Sequence, residues 1–242
     1  MINYQLIRSE RRKTLGLQVK AGKVYVRAPS YVSKEFIHDF VAKKSSWLKA
    51  KVNEQVNVDD GCLSFEQGSK VLFQGELLTL VIDFAPKRKT FIKSDKLDSK
   101  YLVVILANRQ KEKAQNVKVQ TLLVKKQLEE FYKEQALSTI PSRLAQLSEL
   151  TSLKPVSFKI RQYKSRWGSC NSRGELSFNY LLMMVPNDIL DYVIIHELCH
   201  LKHLNHSTRF WQLVSCYYPE YVEAKRWFKE HQAQLQWLPL TS

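Results

Sequence analysis

The sequence predicts an α+β protein in two domains: a β-rich N-terminal domain with one helix over residues 1–110, and a second domain over 111–242 that carries a metal-ligand motif. Three observations lead there. Apolar and polar residues alternate with period two through much of the first 110 residues. Apolar residues then recur at helical spacing between about Val119 and Leu150. Finally, four of the six histidines fall within Asp188–His206. Period two is the mark of a half-buried strand, and a 3.6-residue period that of an amphipathic helix.

Taken in order, Leu15, Leu17 and Val19, a turn at Ala21-Gly22, and Val24, Val26 and Ala28 spell a hairpin that Pro29 ends. Ser33 is an N-cap for a helix with an apolar stripe of Phe36, Ile37, Phe40, Val41, Trp47 and Leu48. Asp59-Asp60-Gly61 reads as a turn. Val71–Phe73, Gln74-Gly75-Glu76 and Leu78–Phe84 read as strand, turn and strand; Lys87–Lys89 falls in a loop, and Tyr101–Ala107 is a buried strand. The polar stretch 108–118 is the expected domain boundary. Two helices are expected beyond it, one from Val119 to Ser138 and one opened by Pro141 and running to Leu150. Val156–Ile160 and Glu175–Tyr180 alternate as strands, Ser165–Cys170 reads as a loop, and Pro186-Asn187-Asp188 launches another helix.

The chain has 242 residues, 44% hydrophobic and 25% charged, with only 7 Gly and 7 Pro, so disordered and low-complexity classes are excluded. Charge is less ordinary: 38 Lys and Arg oppose 23 Asp and Glu, a net +15. The excess lies in residues 1–50 (11 basic, 3 acidic) and 111–175 (13 basic, 6 acidic), whereas 176–242 is near neutral (5 basic, 6 acidic). Such a surface suits polyanions, so an anionic (nucleotide) substrate and nucleic acid stand beside a polypeptide as possible partners. The four cysteines, at 62, 170, 199 and 216, have no CxxC spacing, and no apolar run approaches membrane-spanning length. A cytoplasmic setting with no membrane partner is therefore expected.

The chemistry is concentrated in His196-Glu197-Leu198-Cys199-His200, an HExxH motif. Two histidines four apart on a helix project from one face and can share one zinc ion, while Glu197, one residue on, can act as general base on a polarised water. The apolar run Val193-Ile194-Ile195 supplies the buried helix that this requires. A catalytic zinc wants a third protein ligand and one open position. His203, His206, Glu220 and Glu223 are the candidates; a helix end at Leu204-Asn205 would turn the chain back and favours His206. The 196/200/206 spacing matches metzincins, but their turn glycine would fall at His203 and no methionine follows Met184. Cys199 points away from the ligand face and is expected in the core, with His38 and His231 outside the site. Tyr217 and Tyr218 are weak candidates for oxyanion stabilisation.

Ser165-Arg-Trp-Gly-Ser-Cys170, Leu176-Ser-Phe-Asn-Tyr180, Pro186, Tyr192-Val-Ile-Ile-His-Glu-Leu-Cys-His200, Asn205-His-Ser207 and Phe210-Trp211 together resemble the YgjP-like metallopeptidase family, related to the SprT-like and WLM zincin groups. Arg11-Arg12-Lys13, Ala28-Pro29 and Trp47 fit it more weakly. The resemblance implies a zincin-like zinc hydrolase domain, with zinc on His196, His200 and His206 and with Glu197 as base. Three functional expectations follow. The first is a metallopeptidase in which strand 175–180 offers its edge to an extended peptide and Arg166 contacts substrate. The second is a zinc-dependent nucleotide pyrophosphatase or other phosphoanhydride hydrolase using Arg161, Lys164 and Arg166. The third is a nucleic-acid-tethered protease or a non-enzymatic basic binding protein.

Overall fold

The computed structural model describes residues 2–20, 23–56, 65–96, 98–163, 166–231 and 235. The turns expected at Ala21-Gly22 and Asp59–Gly61 lie outside them. The α+β class holds: three small sheets and six α-helices are present among the described residues. The chain divides into two compact units, Met1–Cys62 and Leu63–Ser242.

In the first unit, β2 (Gly16–Lys20) and β3 (Lys23–Pro29) pair antiparallel as the alternation predicts. A further strand, β1 (Tyr4–Ser9), adds to β3 in parallel, Tyr4 opposite Val24 and Ser9 opposite Pro29. The Ser33 hydroxyl accepts the Phe36 amide at 3.2 Å and starts α1 (Lys34–Lys43). The expected single helix breaks at Lys44 into α1 and α2 (Ser45–Val56). The break rotates the stripe: Ile37, Val41 and Leu48 join Val24, Val26 and Ala28 in the core, while Phe36 and Trp47 are 61% and 45% exposed.

The second unit begins with a sheet of order β4-β5-β7-β6, from β4 (Lys70–Phe73), β5 (Glu76–Ala85), β6 (Lys89–Ser94) and β7 (Lys100–Ala107). Gln74 and Gly75, both at positive φ (50° and 81°), form the tight turn that joins β4 to β5. This sheet lies on α3 (Val117–Thr151), a single 35-residue helix capped by the Asn116 side chain. Two helices were expected because Pro141 should end one. It sits inside α3 instead, and the carbonyl it leaves without a donor is that of Leu137, on the exposed face where water can serve it.

The boundary expected at 110/111 is therefore corrected to 62/63. The reason is the packing of the sheet against α3. Leu72, Leu78, Leu80, Leu102, Val104 and Leu106 share one core with Val124, Leu128 and Tyr132. The Tyr132 hydroxyl donates to the Leu72 carbonyl at 2.5 Å, and Gln127 Nε2 donates to the Lys89 and Ile105 carbonyls, each at 2.8 Å. Each fully buried leucine here contributes roughly 1.5–3 kcal/mol, so neither layer is stable without the other. The polar stretch 108–118 is only a pair of 3-10 turns between them.

The last sheet has order β8-β10-β9, from β8 (Ser157–Arg161), β9 (Gly168–Cys170) and β10 (Glu175–Asn179). Helix α4 (Asn187–Cys199) follows, then α5 (Thr208–Tyr217) and α6 (Tyr221–Glu230). No helix among the described residues is long and apolar enough to cross a membrane.

Candidate metal centre

Helix α4 carries the centre. Pro186 sits at its N-cap position and Asp188 in its first turn, where a carboxylate favours the positive end of the helix. Arg143 of α3 grips Asp191 through two bonds of 2.5 Å, Nε to Oδ1 and a terminal nitrogen to Oδ2, and so fixes the helix laterally. Ile189, Leu190 and Tyr192–Ile195 are buried. Helix α4 is thus rigid by the time the chain reaches His196.

The helix ends at Cys199, earlier than the expected Leu204-Asn205 stop. The result is the same: the chain turns and returns His206 to the helix. Ring nitrogens of His196, His200 and His206 all lie within 4.8 Å of one another, and Nε2 of His196 and His206 are 3.0 Å apart. Two nitrogens bound at ~2.0–2.1 Å to one tetrahedral ion would stand about 3.3 Å apart, so His196 and His206 are near the spacing of two ligands of one zinc-sized cation, with the third ring close by. His203 contributes differently. Its carbonyl lies 2.9 Å from His200 Nδ1, and since a carbonyl can only accept, Nδ1 carries the hydrogen and Nε2 keeps its lone pair free. Glu220 is the N-cap residue of α6 and Glu223 pairs with Arg226, so neither joins the cluster.

Burial and the neighbouring imidazoles push His196 down to about 3, and burial lowers His200 as well. Both rings are therefore neutral at physiological pH, the protonation state a metal ligand needs. Three imidazole nitrogens are a donor set for a borderline-soft divalent cation. Phe210 lines the centre from α5: fully buried, it stacks on His200 at 4.4 Å and meets the rings of His196 and His206 edge-on at 4.9 Å. Trp211 stacks on His206 at 5.6 Å. The Ser207 hydroxyl, accepting the Phe210 amide, starts α5 directly after His206 and so places both rings. Their position at the histidines comes from the fold of α5 and is not apparent from the sequence pattern.

Glu197 is 5% exposed, and neither its Oε2 nor His196 Nδ1 has a hydrogen-bond partner among the described residues. Burial raises the Glu197 carboxyl to about 8, and the positive charge of Arg166 offsets part of that rise. A buried carboxyl of this kind is poised to exchange a proton near neutral pH.

The segment expected as a loop, Ser165–Cys170, includes β9, which lies against Glu197. A Cβ built on Gly168 would meet Glu197 Oε1 at 2.6 Å and Cγ at 2.7 Å, so only glycine leaves room for the carboxylate. The expected free edge at 175–180 is also corrected: β10 is the central strand, paired with β8 on one side and β9 on the other. The open edge beside the centre belongs to β9. The Asn179 amide donates to the Trp167 carbonyl and the Asn171 amide to the Glu175 carbonyl, so residues 167, 169 and 171 bond inward. By strand alternation the N–H and C=O groups of Gly168 and Cys170 face outward, where no strand among the described residues pairs with them.

The remaining candidates scatter. Arg161 is on β8, separated from β9 by β10, Lys164 lies outside the described residues, and only Arg166 approaches Glu197. Cys199 is fully buried, and burial with the nearby Glu197 raises the Cys170 thiol to about 11. The Tyr217 hydroxyl is engaged by the Thr151 carbonyl at 3.0 Å. His231 stacks on Trp227, away from the cluster, and His38 belongs to the first unit.

The YgjP-like metallopeptidase domain family matches residues 13–231. Among solved structures, the crystal structure of the metallopeptidase zymogen abylysin of Pyrococcus abyssi is 23% identical, with a TM-score of 0.36 over 39% of this chain and 96% of that one. No curated protein matches the chain.

Proposed function

The chain belongs to the YgjP-like metallopeptidase family, and we propose that it is a zinc-dependent peptidase in which His196, His200 and His206 hold the metal and Glu197 is the general base. The observation that carries this reading is the convergence of three imidazoles beside a buried, unpartnered carboxylate oxygen. Bound zinc supplies Lewis acidity and a positive charge that favours the ionised form of Glu197. Glu197 accepts the proton of the attacking water and delivers it to the departing amine. His203, through its carbonyl, keeps His200 in the ligating tautomer. The wall of Phe210 and Trp211 limits water at the histidines.

The β9 edge favours a peptide over a phosphoanhydride. An extended chain can bond to the outward groups of Gly168 and Cys170, which places its backbone beside Glu197. Cys170, Cys199 and Cys216 are free thiols, in keeping with a cytoplasmic setting.

The test is a paired screen of zinc-loaded wild type and Glu197→Gln on unstructured polypeptides and on nucleoside triphosphates. Glu197-dependent peptide cleavage is expected. Glu197-dependent pyrophosphate release without peptide cleavage would replace this reading with phosphoanhydride hydrolysis.

A further inference from the structure

Two cations stand near the centre, and both are held over aromatic rings. The Arg166 guanidinium lies 5.5 Å from the centroid of Tyr163. The Lys225 ammonium lies 4.2 Å from the centroid of Trp211, the ring that stacks on His206 and stands 5.7 Å from His196. Both side chains are exposed, and neither forms an ion pair with a carboxylate among the described residues. Cations without acidic partners are ordinary on a surface. Here each is oriented by a ring and set at the rim of a cluster that has a function of its own.

The Arg166 side is built with particular care. Asn179, 3% exposed, donates from Nδ2 to the carbonyls of Tyr163 and Arg166 at 3.1 and 3.3 Å, and its Oδ1 accepts the Leu181 amide. The Tyr163 hydroxyl is tied to the Ser169 hydroxyl at 3.0 Å. Tyr163 and Arg166 are thereby tied to β10. Arg166 precedes by two residues the glycine whose Cα faces Glu197. Lys225 is fixed by α6, where Tyr221, four residues earlier, stacks on the same Trp211 at 5.2 Å.

We propose that Arg166 and Lys225 are specificity-determining residues that bind carboxylates of an acidic peptide substrate. This rests on the peptidase reading above. The carboxylates are either Asp and Glu side chains or, for one of them, the free C-terminus of the substrate. A substrate lying along β9 passes Gly168, beside Glu197 and two residues along the chain from Arg166. The planar guanidinium can take a carboxylate through two parallel bonds, the ammonium through one.

The experiment separates this from the peptidase reading by measuring binding to zinc-loaded Glu197→Gln protein as well as turnover by the wild type. Fluorescent peptides of one length are compared by anisotropy: acidic, neutral, basic, and acidic with an amidated C-terminus. The acidic peptide is expected to bind at least about ten-fold more tightly than the neutral one, and Arg166→Ala or Lys225→Ala to remove most of that margin. The double reversal Arg166→Glu with Lys225→Glu should transfer the preference to the basic peptide. Loss of binding on amidation assigns one carboxylate to the C-terminus; retention assigns both to side chains. Equal affinity for acidic and neutral peptides overturns the proposal, as does an acidic preference that survives both alanine substitutions or binding of a nucleoside triphosphate in place of the peptide. Charge-dependent binding with no cleavage by the wild type sinks the peptidase reading and leaves the binding site standing.

Discussion

The Cα of Gly168 lies against the carboxylate of Glu197 so closely that a methyl group there would sit 2.6 Å from Oε1. An edge strand and α4 thus meet where one residue has no side chain and the other has its buried carboxylate. Gly168→Ala is expected to keep its zinc, because none of the three histidines is touched, and to lose activity by on the order of 10²-fold, the usual result of shifting a reacting group by about 1 Å. Metal analysis beside a peptidase assay on the same preparation checks this. Unchanged turnover would show that Glu197 has a second productive position.

The histidines should separate by role. His196→Ala and His200→Ala are expected to abolish stoichiometric zinc, and His206→Ala to weaken it strongly, since it supplies the third nitrogen of the cluster. His203→Ala should leave zinc affinity nearly unchanged, because His203 acts through a carbonyl that alanine also has. Titration with a chromogenic chelator measures all four. Zinc loss in His203→Ala equal to that in His206→Ala would return the third ligand to His203.

Much of this site was legible because its determinants are local. An HExxH on an apolar helix places two ligands and a base by helical geometry alone, and a short loop returns His206. Ser33, Gln74-Gly75 and the strands near 156–161 and 175–179 were readable for the same reason. What was not legible depends on long-range partners. β1 exists because β3 offers it a parallel edge, and Pro141 is tolerated because α3 is held along its length by the β4–β7 sheet and by α4. Lys225 is 28 residues beyond Glu197 and reaches the centre only after α5 and α6 fold back. The 165–170 segment looked like a loop because three residues of strand are too few to show alternation.

The metal-free protein should have a pH dependence with two opposed limbs. His196 has a folded-state value near 3 against an ordinary 6.5, so between those values the unfolded state binds the extra proton and stability rises with pH. Glu197 has a folded-state value near 8 against an ordinary 4.5, so in that window the folded state holds the extra proton and stability falls as pH rises. The two offset each other between about 4.5 and 6.5, and the Glu197 limb acts alone from 6.5 to 8. In chelator-treated protein Tm is expected to fall across pH 6.5–8, and Glu197→Gln should flatten that limb. A fall that persists unchanged in the glutamine variant would assign it to another group.

The division of the chain at 62/63 makes a prediction about fragments. Residues 63–242 include both layers of the core, the β4–β7 sheet and α3, together with the whole metal centre. That fragment is expected to unfold cooperatively and to bind one zinc. A fragment of residues 111–242 lacks Leu72, Leu78, Leu80, Leu102, Val104 and Leu106. It would expose the faces of Val124, Leu128 and Tyr132 that they cover, and leave the buried Tyr132 hydroxyl and Gln127 amide without the carbonyls they serve. Each buried leucine withdrawn costs roughly 1.5–3 kcal/mol and each orphaned buried polar group ~1–3 kcal/mol, against a total stability of only ~5–15 kcal/mol for a typical domain. The shorter fragment should therefore be unfolded or aggregated, and without ordered α3 there is no Arg143 to hold Asp191 and α4. Circular dichroism with thermal melting, and zinc titration of both fragments, decide the matter. A cooperative melt by 111–242 would restore the boundary at 110/111 and make the β4–β7 sheet an independent layer.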